Sequence, residues 1–146
     1  MSDRLYPARP LLAASVAVFR SGRVLLARRV APPAAGLFAL PGGLVETGET
    51  MAQAALRELH EETGVKAQLI GFNAHNEVIE RAGDGRVSRH FVVASFAARW
   101  ISGEGQTGPE AAEIIWARRG EAQKLDLVAG LDAILQNAWR MAEAAP

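Results

Sequence analysis

The chain has 146 residues, 49% of them hydrophobic and 22% charged, the balance of a single globular domain over 1–146 rather than of a disordered chain. Sixteen basic residues match sixteen acidic ones, so no global field recruits a nucleic-acid polymer or an anionic membrane. The absence of cysteine excludes disulfides, thiolate nucleophiles and cysteine-ligated zinc, and it fits a reducing cytoplasm.

In chain order, the first apolar run is Leu11-Leu12-Ala13-Ala14-Ser15-Val16-Ala17-Val18-Phe19. Arg4 and Arg9 precede it, a superficial match to a secretory signal peptide. The run ends in Arg20-Ser21-Gly22 and is answered by Val24-Leu25-Leu26-Ala27, so strands over 11–19 and 23–29 joined by a tight turn explain it better. No stretch reaches the roughly 18 apolar residues of a transmembrane helix. After the loop Ala31-Pro32-Pro33-Ala34-Ala35-Gly36, the segment Leu37-Phe38-Ala39-Leu40 reads as a strand stopped by a sharp turn at Pro41-Gly42-Gly43. Thr50 followed by Gln53 forms a capping box for a helix over 51–63, with Ala52, Ala55, Leu56 and Leu59 on its apolar face and Gly64 at its C-cap. Strands are expected over 65–72 and 87–98, the second entered through a turn at 82–86. A glycine-rich loop over 102–109, a short strand at Ile114-Ile115-Trp116 and a closing helix over 129–141 complete the chain. Leu131, Ile134, Leu135 and Ala138 fall on one side of that helix. This alternation predicts a mixed sheet with helices packed on both faces.

The chemistry is concentrated in the first helix. Glu46, Glu49, Glu58, Glu61 and Glu62 stand against a single basic residue, Arg57. Glu58, Glu61 and Glu62, related by three and four positions, share one helical face and repel one another by roughly 0.2–0.5 kcal/mol per pair. Glu61 and Glu62 also lie in the last turn, where the helix dipole disfavours anions. A solvated outer face normally mixes lysine with glutamate, and here only Arg57 and Glu61 can pair at four residues' spacing. Hard oxygen ligands on one rigid helix suit Mg²⁺ or Mn²⁺, which also bridge to phosphates.

Written with its spacers, the segment is Gly43, five residues, Glu49, seven residues, then Arg57-Glu58-Leu59-His60-Glu61-Glu62-Thr63-Gly64-Val65. It resembles the Nudix box at every defining position, and Pro41-Gly42, the early hairpin and the Glu110 to Trp116 segment are also similar to the family. The resemblance implies an α+β chain folded as an α/β/α sandwich around a mixed β-sheet, and a Mg²⁺-dependent pyrophosphohydrolase, with Mn²⁺ as an alternative cation. Carried over by position, it implies Glu58, Glu61 and Glu62 as metal-facing carboxylates, the Gly42 carbonyl as a further ligand and Glu49 as a supporting acid on the metal side. Arg57 orients a glutamate. Family members draw the general base from the box or from a late loop, which leaves Glu58 in competition with Glu104, Glu110 and Glu113; of the loop acids Glu113, three residues before Trp116, is the one carried forward, its plain alternative being a surface charge at a strand entrance. Arg29 matches a phosphate-contacting position, its plain alternative being a solvated strand-end charge, and Gly43 opens the box on the substrate side. His60 occupies a variable box position, and Trp100, Trp116 and Trp139 read as packing residues.

The implied partner is a small-molecule nucleotide, and the resemblance leaves room for a homodimer. An ADP-ribose-like nucleoside diphosphate derivative leads, although Glu80-Arg81-Ala82 stands where many ADP-ribose hydrolases of the family carry a proline. The alternatives are a triphosphate pyrophosphatase that sanitises oxidised or noncanonical nucleotides, and, from another class, a nucleotide-sensing module without catalysis. Such modules usually lose box glutamates, and all are present here.

Overall fold

The computed structural model describes residues 4–32 and 34–145; Pro33 of the early loop lies outside them. Among the described residues seven strands form one mixed sheet, the hydrogen-bonded path running β3-β2-β1-β6-β5. The first apolar run is β1 (Leu11–Arg20), parallel to β6 (Val87–Ser102) in continuous register from Leu11 opposite Phe91 to Phe19 opposite Arg99. Both faces of β1 are covered, which is why it reads as an unbroken apolar run. Ala14, Val16 and Val18 lie in the core under α1 (Met51–Thr63), whereas Ala17 and Phe19 lie in the core under α3 (Leu131–Ala144). The α/β/α sandwich expected from the sequence is therefore the observed fold. Among the described residues no helix is long and apolar enough to cross a membrane.

The other edge of β1 is divided, and that division positions the site. The turn into β2 (Arg23–Arg29) places Ser21 and Gly22 at φ 51 and 76, the left-handed pair that a two-residue hairpin requires. Strand β2 then leaves β1 after Phe19 and Val24 have paired, and runs antiparallel to β7 (Ala111–Ala117). The vacated edge of β1, at Ala13 to Ser15, is taken by β4 (Gly42–Leu44). Pro41-Gly42-Gly43 is thus not the sharp stop that the composition suggests. The short strand β3 (Phe38–Ala39) ends before it, and the glycines belong to β4. Their role there is to permit close approach: a Cβ on Gly42 would come within 2.3 Å of the Ala14 carbonyl oxygen.

The remaining departures from expectation are in length. Strand β5 runs through Lys66–Arg81 rather than ending at residue 72, and β6 continues to Ser102. Each supplies the other's hydrogen bonds along a long antiparallel ladder, with register shifts that leave Ile70 and Asn73 out of the pairing. A short helix α2 (Arg119–Ala122) follows β7 where no helix was expected. On α1, Ala55 and Leu59 are buried together with Ala54 and Thr63, while Ala52 and Leu56 are half-buried. On α3 the buried set is Leu131, Leu135, Ala138 and Trp139.

Candidate active site

Helix α1 is held at both ends by its own sequence. The Thr50 hydroxyl accepts from the Gln53 backbone N–H at 3.0 Å, and the Gln53 side chain accepts from the Thr50 N–H at 2.9 Å. Gly64 caps the other end in the left-handed conformation, φ 75, donating its N–H to the His60 carbonyl. With both ends fixed, Glu58 and Glu62 stand one turn apart on the same face.

Arg57 answers most of the acidic charge. Its Nε donates to Glu49 Oε2 at 2.6 Å and its Nη2 to Glu49 Oε1 at 2.9 Å and to the Leu44 carbonyl at 3.1 Å. Its Nη1 donates to Glu58 Oε1 at 2.9 Å and to Glu61 Oε2 at 3.1 Å, with Glu46 Oε1 at 3.8 Å. One guanidinium therefore meets four of the five glutamates and ties α1 to β4. Hydrogen bonds from Arg57, and then from the Glu46 backbone N–H, hold the Glu49 carboxyl down to about 2, and the hydrogen bond to Glu49 is the chief cause of a raised Arg57.

The fifth glutamate is the exception. Glu62 faces Glu58 and Glu110, and one carboxylate oxygen from each lies within 4.8 Å of the others. Burial pushes the Glu62 carboxyl up to about 9, reinforced by the neighbouring Glu110 and Glu58. The donor set is entirely hard oxygen and gathers like charge that a divalent cation would neutralise. Gly43 makes room for it, since a Cβ there would stand 2.5 Å from Glu58 Cδ. The group opens on a cleft of about 590 Å³ between the C-terminal end of α1 and the loop that carries Gln106 and Glu110. That loop is tied to the helix where the Gln106 N–H donates to the Thr63 carbonyl at 2.8 Å.

The structure brings some sequence candidates together and separates others. Glu58 and Glu62 are in the carboxylate group, and Glu110, which the sequence offers only as one of three loop acids, completes it. Its one positional signal is that it immediately precedes Ala111, which pairs with Arg29 in the sheet, so Arg29 ends β2 beside it. Glu61 lines the cleft but is bonded to Arg57, and Glu49 is held by the same guanidinium. Glu113 pairs with Arg28, their side chains 3.3 Å apart. By strand alternation it shares the face of Ile115 and Leu26, which pack in the α3 core. Glu104 is bonded to Arg20 at 2.8 Å, away from the carboxylate group. Gly42 pairs with Ser15 in the sheet, and exposed His60 lines the cleft. Trp139 packs edge-on against Phe19 in the core, whereas Trp100 and Trp116 both lie near the Arg20 guanidinium.

Comparison with known proteins places this geometry. A putative 8-oxo-dGTP diphosphatase 2 of Mycobacterium tuberculosis is 33% identical over 114 residues, 77% of this chain and 76% of that protein. An ADP-ribose pyrophosphatase of Methanocaldococcus jannaschii is 45% identical over 62 residues, 42% of this chain and 36% of that protein; this match therefore spans about a third of the relative's length. A MutT NUDIX hydrolase of Burkholderia pseudomallei has the same fold, with a TM-score of 0.77 at 27% identity over 88% of this chain and 98% of that one. The NUDIX domain of Shewanella oneidensis NrtR, solved with ADP ribose, follows at 0.72 and 24% identity, over 91% and 89% of the two chains. The NUDIX domain family model itself matches residues 9–138, and the chain, with its box intact and its sandwich fold formed, belongs to the Nudix hydrolase family.

Proposed function

We propose that the chain hydrolyses a phosphoanhydride bond in a nucleotide, using Mg²⁺ held by Glu58, Glu62 and Glu110, with the Gly42 carbonyl on β4 and Glu61 at the cleft wall as further oxygen donors. The observation that carries this reading is the convergence of three carboxylates from a helix and a distant loop on one polar cleft. The bound cation would neutralise charge on the diphosphate and lower the pKa of a water. Arg57, bonded to Glu49 and Leu44 on one side and to Glu58 on the other, fixes the Glu58 carboxylate in orientation. Arg29, whose strand partner Ala111 directly follows Glu110, would meet a phosphate oxygen. Glu113, on the opposite face, leaves proton acceptance to the carboxylates of the cleft.

Two substrate classes share this chemistry. An ADP-ribose-like nucleoside diphosphate derivative is supported by the pyrophosphatase relative. A noncanonical or oxidised nucleoside triphosphate is supported by the longer match to the putative 8-oxo-dGTP diphosphatase. Steady-state constants with Mg²⁺ across ADP-ribose, dinucleotides, and ordinary and oxidised triphosphates decide between them by kcat/KM. Binding without turnover of any member would instead make the protein a sensor.

A further inference from the structure

Glu110 arrives on a loop, and beyond its ties to the box that loop is held by three residues outside it. Arg20, the last residue of β1, lays its guanidinium 3.8 Å from the centre of the Trp100 ring and 5.8 Å from that of Trp116. The same guanidinium donates to both carboxylate oxygens of Glu104, at 2.8 and 3.3 Å. Both indoles also reach the loop: Trp100 Nε1 donates to the Gly103 carbonyl at 2.6 Å and Trp116 Nε1 to the Glu104 carbonyl at 2.9 Å. Backbone approaches tighten the arrangement, since a Cβ on Gly103 would stand 2.7 Å from the Gly64 carbonyl oxygen at the end of α1. Three residues beyond the Gln106 bond to Thr63, the chain reaches Pro109 and then Glu110.

We propose that Arg20, Trp100 and Trp116 form a clamp that registers this loop against α1, so that Glu110 meets Glu58 and Glu62. They are positioning residues. An unclamped segment rich in glycine would spread Glu110 over many placements, and displacements near an ångström are enough to spoil a metal or catalytic constellation. Arginine suits the task because its planar guanidinium can stack on an indole while its fork grips a carboxylate, which a lysine ammonium cannot do.

The inference rests on the divalent-cation reading, and the test separates the two. Mn²⁺ binding to the 146-residue chain, followed by electron paramagnetic resonance, is compared among wild type, Arg20→Met, Trp116→Phe, Glu104→Gln and Glu110→Gln. The first three variants should weaken Mn²⁺ binding, Arg20→Met by about tenfold, as loss of supporting contacts around metal ligands does. In a Glu110→Gln background the same changes should have no further effect, because the clamp acts through that carboxylate. Trp116→Phe and Glu104→Gln each alter one polar group, so they carry the test if Arg20→Met does not fold. Unchanged affinity in those two variants, or equal losses with and without Glu110, would overturn the clamp alone. A wild-type protein that binds no Mn²⁺ would overturn the divalent-cation reading and the clamp with it.

Discussion

Gly42 and Gly43 are adjacent in one short strand, yet a methyl group would do different things at each. At Gly42 it meets the Ala14 main chain, which cannot step aside. Gly42→Ala should therefore cost stability, about 1–3 kcal/mol as for overpacking, read as a lower Tm. At Gly43 it meets the carboxylate end of the Glu58 side chain rather than main chain, so Gly43→Ala should fold with a near-normal Tm and lose about 10–100-fold in kcat/KM. Arg57→Lys should show a similar kinetic loss, because one ammonium cannot bridge Glu49, Leu44 and Glu58 together. The glutamates of α1 also divide. Glu62→Gln should abolish turnover while leaving the metal-free Tm unchanged or higher, since it replaces a carboxyl whose charged form is disfavoured by burial and by Glu110 and Glu58 with a neutral group of the same shape. Glu61→Gln breaks a four-residue pair with Arg57, worth about 0.3–0.5 kcal/mol at such exposure, and should lower the Tm slightly. A metal-free Glu62→Gln protein melting several degrees below wild type would contradict this account.

Helix α1 was legible in the sequence to the residue at both ends because its signals are local: a capping box, a C-cap glycine and an acidic face. Thr50→Ala should cost about 1 kcal/mol, since it removes the hydroxyl that accepts the Gln53 N–H. The β5–β6 hairpin was less legible. Asn73, His75 and Asn76 break the alternation on which a strand reading depends, and only the partner strand shows the ladder continuing past them. The site followed the same division. Glu58 and Glu62 could be placed from helical spacing, whereas Glu110 is 48 residues beyond Glu62, and its arrival depends on loop contacts with Thr63, Trp100 and Trp116. In the sequence Glu113, not Glu110, is the loop acid carried forward, because nothing local reveals which face of β7 it occupies.

At the scale of the molecule, a cation held by the carboxylate group would couple metal binding to folding. The three carboxylates come from two segments that only the folded chain brings together, so a divalent cation should bind the native state far better than the unfolded one. Mg²⁺ at about 100 times its Kd should then add about 2.7 kcal/mol to stability. A thermal melt would show this as a Tm that rises with Mg²⁺ in the wild type and rises much less in Glu62→Gln.

The parallel pairing of β1 with β6 has a consequence for the order of events in folding. Leu11 finds its partner in Phe91, so the centre of the sheet joins two stretches separated by most of the chain. A contact of that span closes a large loop before it returns any stabilisation, which places the chain among the slower folders, in the range of milliseconds to seconds. During synthesis β1 leaves the ribosome long before β6 exists, and the intact box helix can cap itself well ahead of the sheet on which it will rest. The candidate cleft is thus among the last parts of the molecule to be assembled, although two of its three gathered carboxylates, Glu58 and Glu62, lie on the first helix of the chain.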